Sequence, residues 1–113
     1  MLNATFSFDR EGISFSVKGH AGAAPKGFDL ICASASMLAY TAARFIRKME
    51  EEGKLLEKPE ILLKEGDSRI FLKPKVQNAS ECIEGLKVIE GGFELLSTSF
   101  PKYVSLNKFD KPE

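Results

Sequence analysis

Leu2, Ala4, Phe6 and Phe8 alternate with Asn3, Thr5 and Ser7, and after Asp9-Arg10-Glu11-Gly12 the same period resumes, with Ile13, Phe15 and Val17 set against Ser14, Ser16 and Lys18. Side chains of a strand alternate between the two faces of a sheet, so each run carries one apolar and one polar face. Two such runs across a polar turn ending in glycine predict an antiparallel hairpin. Its apolar face is rich in aromatic rings and must be covered by a helix.

The remaining chain supplies that cover. Gly19 to Phe28 holds three glycines, a proline and several alanines without periodicity, which predicts a loop whose backbone bends easily. Asp29 is a good N-cap, and Ile31, Ala35, Leu38, Ala42, Phe45 and Met49 follow at helical spacing until Gly53, a natural C-cap. Ile61 to Leu63 and Ser68 to Lys73 read as two strands around Glu65-Gly66-Asp67, bracketed by Pro59 and Pro74. Asn78 and Glu81 resemble a capping box for a second helix. Its apolar stripe is Cys82 or Ile83, Leu86, Ile89, Phe93 and Leu96. Gly85, Gly91 and Gly92 weaken a helix, so their presence predicts close packing or a kink. Pro101 ends it, and Tyr103 to Leu106 reads as a last strand.

The order is strand, strand, helix, strand, strand, helix, strand. This is an α+β fold (an α/β sandwich) of one mostly antiparallel sheet with two helices. A single domain over 1–107 is expected, with 108–113 as a frayed polar tail.

The chain has 113 residues, 43% hydrophobic and 28% charged, with sixteen Lys plus Arg against sixteen Asp plus Glu. A net charge of zero argues against general nucleic-acid binding, so no direct nucleic-acid partner is expected. No apolar run reaches the roughly eighteen residues a membrane span needs. The N-terminus lacks the basic and apolar regions of a signal peptide. The expectation is a cytoplasmic protein whose two cysteines stay reduced. One histidine and two cysteines do not make a zinc site without distant carboxylates, so no metal and no cofactor is expected.

Gly19-His20-Ala21-Gly22 and, twelve residues after the histidine, Cys32 are where chemistry concentrates. On residue type alone Cys32 reads as a buried core thiol and His20 as a loop histidine. Placement supports a second reading. A thiol in the first helical turn lies near the positive end of the helix dipole, which favours the nucleophilic thiolate. Backbone N–H groups at the helix start are candidates for stabilising an oxyanion, and His20, leaving a strand end, is placed to reach the thiol as general base. Asp29 reads first as the N-cap and second as a group orienting His20. Ser36, one turn beyond Cys32, either supports the site or keeps the helix slim. Cys82, on the apolar stripe of the second helix, reads as inert, and Phe45, Phe71, Phe93 and Tyr103 as core.

The string Gly19-His20-Ala21-Gly22, then Gly27-x-Asp29-x-x-Cys32-Ala33-x-x-Ser36, resembles the signature of the ribosomal-processing cysteine protease family, often called Prp. The resemblance implies a cysteine endopeptidase that removes the N-terminal extension of large-subunit ribosomal protein twenty-seven. It further implies a homodimer, with Cys32 as nucleophile, His20 as base, and Asp29 and Ser36 as further motif positions. The loop Ala21 to Phe28, with Gly19, Gly22 and Gly27, would then be mobile and order around the substrate. The alternatives are a non-enzymatic ribosome-associated binding module with a structural cysteine, and a redox-sensing cysteine protein.

Overall fold

A computed structural model describes residues 1–22, 24–25 and 29–110. Strands β1 (Leu2–Asp9) and β2 (Gly12–Lys18) form the expected hairpin, followed by helix α1 (Leu30–Glu51), strands β3 (Glu60–Lys64) and β4 (Asp67–Leu72), helix α2 (Ala79–Ser99) and strand β5 (Val104–Asp110). A single 3₁₀ turn over Val76–Asn78 leads into α2. The strands form one five-stranded sheet in the order β3-β4-β2-β1-β5. Every pairing is antiparallel except β1 with β5, which is parallel. The α+β architecture is the one the element order predicts.

The alternation decides which face is covered. Leu2, Ala4, Phe6 and Phe8 of β1, Ile13, Phe15 and Val17 of β2, and Ile70 and Leu72 of β4 are all buried. They join one core with the inner stripes of both helices. Phe6 stacks on its cross-strand partner Phe15 with ring centroids 4.4 Å apart. Phe93 of α2 tilts against both, at 5.9 and 5.4 Å. Burying a ring of this size contributes about 1.5–3 kcal/mol, so this trio is a large share of what holds α2 to the sheet. The opposite face carries Ser14, Ser16 and Arg69. Phe71, expected in the core, lies on that face instead, because it alternates with the buried Ile70 and Leu72. Its ring covers Gly12, where an added Cβ would stand 3.1 Å from it.

The glycines of α2 are close-packing positions. A Cβ on Gly85 would stand 2.6 Å from both Cε atoms of Phe45, and one on Gly92 would stand 2.6 Å from a Leu38 methyl. Phe45 and Leu38 are seven residues apart on α1, as are the two glycines on α2. The half-buried α1 side chains therefore sit in two notches of an antiparallel neighbour. Gly91 faces open space.

Two further expectations require correction. The Asn78 side chain makes no cap hydrogen bond. Glu81 turns instead to Lys54, whose Nζ lies 2.7 Å from Glu81 Oε1 and 2.8 Å from Glu52 Oε1. The last strand also runs further than its apolar pattern. Lys108, Phe109 and Asp110, expected in a frayed tail, pair with Phe6, Ser7 and Phe8. Strand pairing is made by the backbone, and since residues 107–110 are all exposed, no apolar alternation is required of them. Residues 111–113 lie outside the described residues.

Glu90 of α2 is partly buried, and its Oε2 has no hydrogen-bond partner among the described residues. Burial pushes this carboxyl above its ordinary value, with Lys108 pulling down and Asp110 pushing up more weakly.

Gly85→Ala should lower stability in urea denaturation. Overpacking costs about 1–3 kcal/mol and exceeds the helix-propensity gain of about 1 kcal/mol. Gly91→Ala, with no such contact, should raise stability by about 0.5–1 kcal/mol. A carboxyl held high in the folded chain weakens folding once it ionises in both states. Glu90→Gln should therefore raise the melting temperature at neutral pH, with the gain disappearing as pH falls through the carboxylate range.

Candidate active site

The site stands where the sheet ends. Lys18, the last residue of β2, pairs with Asp67, the first of β4. Gly19 therefore faces Gly66 in the β3–β4 turn, and its N–H donates to the Gly66 carbonyl at 3.0 Å. Gly19 has φ +96°, and any side chain there would run into the Met1 carbonyl, so only glycine lets the chain leave β2 in this direction.

His20 follows, exposed, with its imidazole over Gly66. A Cβ on Gly66 would stand 2.9 Å from Nε2 and 3.2 Å from Cε1. Ala21 then turns inward. It is 5% exposed, belongs to the core, and its N–H donates to Cys32 Sγ at 3.3 Å. Gly22 has φ +71°, and a Cβ there would meet nothing within 4 Å. Ala23, Lys26, Gly27 and Phe28 lie outside the described residues, and with them the expectations attached to Gly27 and to half of the loop Ala21 to Phe28.

Asp29 caps α1 in extended conformation, its Oδ1 accepting from the N–H groups of Ile31 and Cys32, each at 3.0 Å. This corrects the expected oxyanion site. Two of the donors at the helix start are occupied by the cap itself. Cys32, half-buried in the first turn, presents its sulfur to Ala21 and to a cavity of about 640 Å³. His20, Asp29 and Ser36 line the same cavity, as do Lys64 to Ser68 of the β3–β4 turn. The small side chains of Ala35 and Ala39 open it along α1. No hydrogen bond joins His20 to Cys32 among the described residues. Cys82 is enclosed in the core, and burial pushes its thiol up to about 11.

The chain has relatives among known proteins. The family description "Cysteine protease Prp" matches residues 1–105. The chain belongs to the cysteine protease Prp family. No curated protein sequence matches it. Among solved structures it is similar to the S. aureus ribosomal processing protease Prp with a covalently linked product peptide, at TM-score 0.71 and 19% identity over 96% of this chain and 99% of that one. The same S. aureus protease with a substrate peptide gives TM-score 0.67 and 17% identity, over 96% and 99% of the two chains. SMU.848 from Streptococcus mutans gives 0.69 and 20%, over 98% and 96%. At such identities these likenesses show the fold. In this member of the Prp family the structure adds Gly66, through its bare Cα, to the residues named from sequence, and gives Ala21, named there only as a loop position, a contact to Cys32 through its N–H. Both act through backbone, so side-chain pattern does not mark them.

Removing the cap should loosen this corner of the family fold. Asp29→Ala should cost about 1 kcal/mol in chemical denaturation, and Asp29→Asn, which keeps an acceptor oxygen, little.

Proposed function

We propose that this chain is the endopeptidase that removes the N-terminal extension of large-subunit ribosomal protein twenty-seven, with Cys32 as nucleophile and His20 as general base. Family membership requires a reactive cysteine, and the chain has two. Cys82 is fully enclosed and its thiol is held protonated, whereas Cys32 opens on the cavity that His20 also lines. That contrast carries the assignment. The S. aureus structures concern a ribosomal processing protease with substrate and product peptides, which supports a ribosomal protein as the substrate. A cytoplasmic homodimer is part of the same reading.

In this mechanism the His20 imidazole takes the Cys32 proton, and the thiolate attacks the scissile carbonyl carbon. His20 returns the proton to the leaving amine, a thioester remains, and water activated by the same imidazole releases the extension. Contacts between a base and its nucleophile commonly tighten only with substrate in place, consistent with the absence of a direct His20–Cys32 hydrogen bond here. The Ala21 N–H donates to the reacting sulfur, whereas Asp29 occupies the N–H groups of Ile31 and Cys32. It meets negative charge on sulfur first and is the candidate donor to the oxyanion once carbon is bonded.

The test is a peptide spanning the extension junction, followed by mass spectrometry. The unmodified chain should cut it once. Cys32→Ala should abolish cleavage, and His20→Ala should lower kcat/KM by about 10²–10⁴-fold. Cleavage surviving in Cys32→Ala would overturn the assignment.

A further inference from the structure

We propose that Gly66 is a positioning residue for the His20 imidazole, and that the β3–β4 turn is the seat on which the base is held. The inference rests on the assignment of His20 above. One residue makes both contacts. The Gly66 carbonyl accepts the N–H of Gly19, the residue just before His20, at 3.0 Å. Its Cα bears the ring, so that a side-chain carbon there would stand 2.9 Å from Nε2, closer than real Cβ contacts come. Backbone and side chain of the base are thus located by the same peptide unit.

The turn alone does not demand glycine. Gly66 has φ +76°, a conformation that asparagine also adopts at modest cost. Any residue with a Cβ, however, occupies the place of the imidazole. Because His20 is exposed and its side chain turns about two bonds, the ring gives way before the backbone does. The expected consequence is a folded enzyme with a displaced base. Misplacement of a reacting group by about 1 Å can cost about 10²-fold in rate.

Gly53 provides the control. It has nearly the same backbone, φ +70°, and open space where a Cβ would go. Gly53→Ala therefore carries the same left-handed strain without touching the site. His20 is the only histidine, so its ring gives a single set of imidazole resonances.

The experiment compares Gly66→Ala, Gly66→Asn, Gly53→Ala and His20→Ala with the unmodified chain on the junction peptide, together with NMR of the imidazole Cε1–H. Both Gly66 variants should lower kcat by about 10- to 100-fold with KM little changed, and should move the imidazole resonance. Gly53→Ala should lose a similar amount of thermal stability while keeping kcat and the resonance. Gly66→Asn decides the matter where Gly66→Ala folds poorly. Unchanged kcat or an unmoved resonance in the Gly66 variants overturns the proposal, as does an equal loss in Gly53→Ala. Cleavage retained by His20→Ala overturns the base assignment and this proposal with it. Loss in His20→Ala beside full activity in both Gly66 variants overturns this proposal alone.

Discussion

Phe6 stacked on Phe15, with Phe93 leaning on both, sets the register from which the rest of the molecule follows. The two strand residues are direct cross-strand partners, and both are buried. A slip of one residue would turn every apolar side chain of one strand to the open face, so the pairing is strongly specified. With that register in place, β2 ends at the same edge of the sheet as β1 begins. The β2–β4 pairing extends the alignment to Asp67, and hence to the turn that meets Gly19 and His20. A hydrophobic decision in the core thereby locates a polar site at the rim.

The elements were legible because their side chains keep strict periods against one covered face. Where a pattern has no covered face to report, reading stops. The end of β5 is an exposed edge held by backbone pairing to β1, and Asn107 to Asp110 carry no alternation. The glycines of α2 were legible as a demand for close packing, while their partners Phe45 and Leu38 required the structure. Phe71 was misplaced by its size, although its own parity with Ile70 and Leu72 assigns it to the opposite face.

The site divides in the same way. His20 and Cys32 were legible from placement, one leaving a strand and the other opening a helix. The expected oxyanion donors were not consistent with the N-cap named beside them. A capping carboxylate takes the N–H groups at the second and third helical positions, and here those belong to Ile31 and Cys32. Gly66 left no trace, since its part is played by lacking a side chain, and Ala21 was legible only as a loop position, since its contact to Cys32 is made by an N–H that nearly every residue has. Gly66 is also far from His20 in the chain, and only strand register brings them together.

The two thiols show what this construction achieves. Both lie on helices and both pack against the core, yet Cys82 is sealed and held protonated by burial, while Cys32 opens on a cavity. The difference arises from where each helix position meets the sheet. Cys82 belongs to the buried stripe of α2, which packs inward against the strands. Cys32 stands at the first turn of α1, half-buried, with the N–H of Ala21 on its sulfur and the Asp29 cap on its own N–H. His20 lines the same cavity, its imidazole over Gly66. The cap and the strand register thus set the surroundings of a half-buried thiol from the helix on one side and from the sheet on the other.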